Sequence, residues 1–323
     1  MTEPHTGTPA PSTAAALLRA LTGGLVMATA LGVGTALGPV GADALGLTGF
    51  AAQVLPGVLV TALAVPLVLL LLSRGRRSPA WLGFGGAGPS LRALLTGVGV
   101  TAASAAVVLG AGTAAGMLRW SRIEPVTLAG FILSNGVVAF LLEALPEETT
   151  LRGYAWTSLR TRFGATVSAL GTTAVFLLVP GASTVVGAAT AHLVGGDPDP
   201  VGFAPDGQNP VDYLILLTVF GLTLVAARTV LARAPLWAAI GTHLTFLTVN
   251  RIALEGDRRG AGWHAEQTTP DAVLLVPVYL LLAIAGFAVC RRVARRRGAE
   301  PRHGATAPRA VAERLEERPA PHA

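Results

Sequence analysis

Apolar residues along this chain gather into long blocks, separated by short segments rich in arginine, proline or glycine. The blocks are Leu17–Leu37, Val54–Leu72, Leu91–Leu118, Val126–Leu142, Val167–His192, Tyr213–Leu231, the shorter Leu236–Val249, and Ala272–Cys290. Most approach the ~20 residues a helix needs to cross a bilayer. Pro56 and Pro66 lie inside the second block, and Pro180-Gly181 is expected to interrupt the fifth. The pattern predicts an all-α fold, a polytopic membrane helical bundle of about eight transmembrane helices, over residues 14–290. Residues 1–13 and the basic segment 291–323 are polar, proline-containing tails predicted to be disordered. Leu17–Leu37 is too long for the apolar region of a signal peptide and is followed by further spans, so it is read as retained.

Composition agrees. Of 323 residues 52% are hydrophobic and only 13% charged, about half the charge of a typical soluble domain. The net charge is +6, and all 24 basic residues are arginines, a usage that fits a GC-rich bacterial genome. The arginines sit at span ends. Placing both termini in the cytoplasm of a bacterial plasma membrane puts Arg74, Arg76, Arg77, Arg160, Arg162, Arg228, Arg233 and the Arg291–Arg297 cluster inside, as the positive-inside rule requires. The acidic loop with Asp197, Asp199, Asp206 and Asp212 then lies outside. Arg119, Arg122, Arg251, Arg258 and Arg259 fall outside, against the rule. The bilayer is the expected partner. No basic stripe interleaved with aromatics suggests nucleic acid. Cys290, the single cysteine, excludes a disulfide framework and a cysteine metal cluster.

Chemistry concentrates in Glu143-Ala-Leu-Pro-Glu-Glu-Thr-Thr-Leu-Arg-Gly-Tyr-Ala-Trp156. Ionisable side chains at a bilayer edge are costly and mark functional sites. A structural account is available: Pro146 suits the first turn of a helix, glutamates there favour its dipole, and Glu148 with Arg152 makes an i,i+4 pair. A catalytic account needs more. A poorly solvated carboxylate can take a proton from water, an arginine can orient it, and a histidine or asparagine can stabilise an oxyanion. The histidines within apolar blocks are His192 and His243. His243 shares a helical face with Leu247 and Asn250.

Glu147-Glu148-Thr-Thr-Leu-Arg152-Gly-Tyr resembles the EExxxR-G motif of the CPBP family, the type II CAAX prenyl endopeptidases and bacteriocin-processing or Abi proteins. Phe176 stands where the family's FxxxH motif begins. Leu236-Trp-Ala-Ala-Ile-Gly-Thr-His243 is similar to the stretch that precedes its third motif, a histidine followed four residues later by asparagine. The resemblance covers about residues 126–254. It implies an intramembrane endopeptidase acting on membrane-associated peptides or proteins, with Glu147 or Glu148 activating water, Arg152 orienting them and His243 stabilising the oxyanion. Phe176, Asn250 and His192 are accessory candidates. Two positions depart from the pattern: Pro180 stands for the second-motif histidine and Leu247 for the asparagine. A catalytically degraded relative serving as a scaffold, binding or immunity protein is the alternative, and a small permease with interrupted spans is a further one. No cofactor is expected; a divalent metal such as zinc is left open, without an HExxH motif to support it.

Overall fold

The computed structural model describes residues 12–205 and 207–299. Most of the N-terminal tail, Asp206 and His303 therefore lie outside the described residues. Eight long helices form the bundle: α1 (Thr13–Ala44), α2 (Gly49–Arg74), α3 (Ala87–Ala114), α4 (Pro125–Arg160), α5 (Ala165–Leu193), α6 (Pro210–Arg228), α7 (Leu236–Ala253) and α8 (Leu275–Ala299). Seven of them, all but α7, are long and apolar enough to cross a membrane. α7 needs no lipid-compatible surface. Leu236, Ala238, Ala239, Ile240, Gly241, Thr242 and His243 are consecutively or nearly consecutively buried, enclosed by α3, α4 and α6, and a helix surrounded by protein is free of that requirement.

Local chemistry sets the ends. Ser12 accepts the Ala15 N–H and caps α1. Asn209 accepts from Val211 and Asp212 at the start of α6, with Pro210 in the first turn, where a missing N–H costs nothing. A two-stranded ribbon, β1 (Leu118–Trp120) against β2 (Ala265–Gln267), ties the α3–α4 and α7–α8 connections together, and Trp120 stacks on Trp263 at 4.2 Å.

Several expectations are corrected. The fifth block is not interrupted: α5 runs unbroken through Pro180 for 29 residues. Proline removes one backbone hydrogen bond, the one to the Phe176 carbonyl, and membrane helices tolerate it; the Ser183 hydroxyl donates to the Pro180 carbonyl at 2.8 Å. Pro146 does not start a helix either. α4 is one continuous rod of 36 residues, so the glutamates sit inside it rather than in a first turn at the surface. α8 extends through the arginines at 291–296, so the tail does not begin at residue 291. Arg251 belongs to α7, not to a loop.

The arginines that opposed the positive-inside rule are mostly neutralised where they stand. Arg251 pairs with Glu143, Arg258 and Arg259 with Glu255, and Arg119 with Glu266.

Small residues bring backbones together, as expected where lipid supplies no hydrophobic drive between helices. Gly97 on α3 and Gly241 on α7 face each other's helix reciprocally. A Cβ on Gly97 would collide with the Ala238 carbonyl, and one on Gly241 with the Leu94 carbonyl. Gly97→Val is therefore expected to cost about 1–3 kcal/mol, the range for overpacking, read as a lower thermal midpoint in detergent. Gly99→Val, where a Cβ meets open space, is the matched control. Equal midpoints for the two variants would mean that α3 and α7 do not meet backbone to backbone.

Candidate active site

The site is built on the inner stretch of α4, where the helix changes its winding. Pro146 cannot donate to the Leu142 carbonyl and its ring crowds it. The backbone widens to π-helical turns on either side, over Phe140–Ala144 and Glu148–Ala155. Such wide turns recur at functional sites. Thr150 stabilises this one by donating its hydroxyl back to the Pro146 and Glu147 carbonyls, at 2.8 and 3.1 Å. Gly23 on α1 lets that helix approach Thr150 and Tyr154 closely. The result is an unusually polar segment held inside the bundle: Glu148, Thr149, Thr150 and Arg152 are all fully buried.

Glu148 is the centre. Its Oε1 lies 2.9 Å from His243 Nδ1 and 3.4 Å from Arg152 Nη1. Glu148 and Arg152 have no exposed side-chain surface, and His243 is 2% exposed. A buried charge is tolerated only when paired and hydrogen-bonded, and here one carboxylate serves both a guanidinium and an imidazole. The Arg152 guanidinium also lies 4.5 Å over the Phe176 ring, a cation–π contact strengthened by desolvation. Phe220 completes the wall. It meets His243 edge-on at 5.0 Å, packs edge-on against Phe176 and stacks on Phe246. These rings fix the imidazole plane and exclude bulk water. Three polar atoms in the cluster have no protein partner: Glu148 Oε2, Arg152 Nε and Arg152 Nη2. All three are enclosed.

Glu147 differs from its neighbour. It keeps 9% exposure, and its carboxylate has no hydrogen-bond or ion-pair partner among the described residues. One turn earlier in α4, Glu143 pairs with Arg251, which also donates to Asn135 Oδ1 at 3.0 Å. Glu143 and Arg251 are 20% and 15% exposed, so Glu147 sits where a half-open polar strip meets the enclosed cluster.

The structure thus brings Glu148, Arg152, His243 and Phe176 together, with Glu147 beside them. It does not bring in the other two candidates. Asn250 donates instead to the buried Tyr279 hydroxyl at 2.9 Å. His192 is exposed at the far end of α5, about 18 Å along a continuous helix from Pro180. Among the described residues, no three His, Cys, Asp or Glu side chains converge in a metal-binding arrangement, so the donor set does not fit a zinc site.

Sequence reading missed three contributors. Phe220 carries no signal beyond being aromatic in an apolar helix. Arg228 was assigned to orientation, yet it donates Nε to the Arg152 carbonyl and Nη2 to the Leu82 carbonyl, at 3.2 and 3.0 Å, bracing the π-helical turn from behind. Beyond it lies a cavity of about 520 Å³ lined by Trp81, Phe84, Arg228 and Arg233, separate from the glutamates. The Glu143–Arg251 pair was detectable in principle, since each is an ionisable residue beside an apolar run.

A multi-pass helical membrane protein in which a buried Glu–Arg pair on a π-wound helix meets a histidine of a neighbouring helix is the class these features define. The family model described as type II CAAX prenyl endopeptidase Rce1-like matches residues 129–249, the stretch that carries all four clustered residues and Glu147. Over that segment the chain is similar to the type II CAAX prenyl endopeptidases, in line with the CPBP resemblance of its glutamate motif. Comparison with curated proteins and with solved structures gives no match.

Proposed function

We propose that this protein is an intramembrane endopeptidase that hydrolyses membrane-associated peptides or proteins with water activated by Glu147. The observation that carries the reading is the enclosed Glu148–His243–Arg152 cluster, with Nδ1 to Oε1 at 2.9 Å, set directly beside the partner-free carboxylate of Glu147. Glu148 is committed to two partners and has no exposed surface; Glu147, at 9% exposure, is the one of the two that keeps any surface and is assigned the water. In the reaction Glu147 takes a proton from water as the water oxygen bonds to the scissile carbonyl carbon. The carbonyl oxygen gains the negative charge. His243 faces Glu148 through Nδ1, which leaves Nε2, when protonated, to donate to that oxygen. The unpartnered Arg152 nitrogens add positive potential in a dry site, where it is worth most. Collapse of the intermediate breaks the C–N bond, and the proton held by Glu147 passes to the leaving amine. Every proton and electron pair is accounted for without a metal.

Arg152 stands in this reading for the positive potential that the second-motif histidine would supply, since Pro180 has no side chain able to donate. The polar strip through Glu143 and Arg251 supplies the water. We further place both termini and the C-terminal arginines on the cytoplasmic side of a bacterial plasma membrane, on the arginine distribution.

The test is hydrolysis of membrane-associated peptides by the purified chain in detergent. Cleavage by the native protein that is lost in a folded Glu147→Gln variant is expected. A folded protein that binds such peptides without cleaving them would establish the degraded-relative reading instead, and solute uptake into proteoliposomes would establish the permease.

A further inference from the structure

A second cluster lies outside the proposed chemistry, at the end of the bundle where α1 begins and α2 ends. Arg19 is one turn before Gly23, on the face of α1 that meets Tyr154. Arg77 follows α2. Its guanidinium lies 4.2 Å over the Trp81 ring, and Trp81 meets Tyr154 edge-on at 6.0 Å. Arg19 and Arg77 are within electrostatic reach of each other and of the Tyr154 hydroxyl.

Among the described residues no carboxylate pairs with them. The only acid in α1 is Asp43, at the opposite end; α2 and the connector to α3 contain none. Among the described residues neither arginine takes part in an ion pair, whereas Arg119, Arg152, Arg251, Arg258 and Arg259 all do. Arg19 Nη1 is enclosed and has no hydrogen-bond partner. Burial, and then the charge of Arg19, lowers the Arg77 guanidinium below its ordinary value. Two cations held together in a partly desolvated place repel each other, and an anion between them removes that cost.

The surroundings say which anion. The cluster sits at a span end, the depth of lipid headgroups, beside an interfacial tryptophan. The outer face of α1 next to Arg19 shows Leu17, Leu18 and Leu21, which are 46%, 67% and 50% exposed, a surface for an acyl chain. Two guanidinium forks match the oxygens of a phosphate. We propose that Arg19, Arg77 and Tyr154 form a binding site for the phosphate of an anionic phospholipid headgroup. The site stands independently of the peptidase reading.

Thermal unfolding of the full chain in detergent, supplemented with phosphatidylglycerol or with phosphatidylcholine at equal mole fraction, tests it. Phosphatidylglycerol is expected to raise the midpoint of the native protein above the phosphatidylcholine value. In Arg19→Gln/Arg77→Gln the apparent affinity for phosphatidylglycerol is expected to fall about tenfold or more, as loss of two charge-assisted hydrogen bonds implies. Arg292→Gln/Arg295→Gln, which removes two exposed arginines from α8, is expected to keep the native response. Native mass spectrometry of the unaltered protein, released from an equimolar mixture of the two lipids, gives a readout that needs no variant: phosphatidylglycerol should be retained preferentially. Equal effects of the two lipids, equal loss in the α8 variant, or the same shift from inorganic phosphate alone would each overturn the proposal.

Discussion

Glu147→Gln is expected to slow peptide hydrolysis by about 10²–10⁴-fold, the contribution of a positioned general base, while leaving the thermal midpoint close to native. The two halves of this expectation come from the same observation. Glutamine keeps the shape of the side chain but cannot accept the proton that leaves water. Because Glu147 has no ion-pair partner among the described residues, its neutralisation strands no cation, and a substitution that breaks no network usually costs within about 0.5 kcal/mol. The loss should fall on kcat, with KM little changed, since the group acts in the transition state rather than in substrate binding. Steady-state cleavage of a fluorogenic membrane peptide, with melting curves for both proteins, is the measurement. Full activity in Glu147→Gln with none in a folded Glu148→Gln would move the base to Glu148 and reverse the roles assigned to the pair.

Arg152→Ala is expected to destabilise the protein by about 3–5 kcal/mol, the cost of removing one partner from a buried ion pair. The number is large because Glu148 has no exposed surface and cannot rehydrate in place. The variant also loses the contact over Phe176 and leaves a gap beneath the π-helical turn. Arg152→Lys keeps a charge but not the planar stack or the fork, and should fall between the two. A double-mutant cycle separates charge from packing. If the stranded carboxylate dominates, Arg152→Ala/Glu148→Gln should lose less than the sum of the single variants, by 0.5–3 kcal/mol or so in the usual range for residues in contact. Denaturation in mixed micelles reads each variant. Native-like stability for Arg152→Ala would show that the cluster does not depend on that pair.

The two variants divide the cluster into a part for chemistry and a part for architecture. Glu148, Arg152 and His243 are tied to one another across α4 and α7, and Arg228 from α6 holds the Arg152 carbonyl. Such a network is stiff, and stiffness is what positioning needs. Glu147 is one residue away but outside the network, on the side of the half-open strip. Adjacent residues on a helix point about a quarter-turn apart, so one carboxylate can be enclosed while the next meets the strip.

How much of this was legible in the chain follows from the range of each interaction. Span positions, and the identity of the glutamates, Arg152, Phe176 and His243 as a set, could be read directly. Hydrophobic runs report on a local requirement of the bilayer, and the family match over 129–249 covers the same set. Turn-scale features were less legible. Proline at 146 and at 180 looked like a boundary in each case, and in both the helix continues: around 146 the winding widens on either side, and at 180 the helix tolerates the one missing hydrogen bond. The pairing of Arg251 could not be read locally, because its partner, Glu143, is 108 residues away.

The sequence by itself determined that this is an all-α membrane bundle and which few ionisable residues it carries inside, because both follow from composition and period along one strand of chain. Only the tertiary structure decided that Glu148 is sealed and Glu147 is not, that Asn250 turns to Tyr279 and His192 stays at the far end, and that α7 is enclosed rather than lipid-facing. Those outcomes depend on which helices pack against which, through glycine contacts such as Gly97 with α7. Residues distant in the chain set them, and no local pattern contains them.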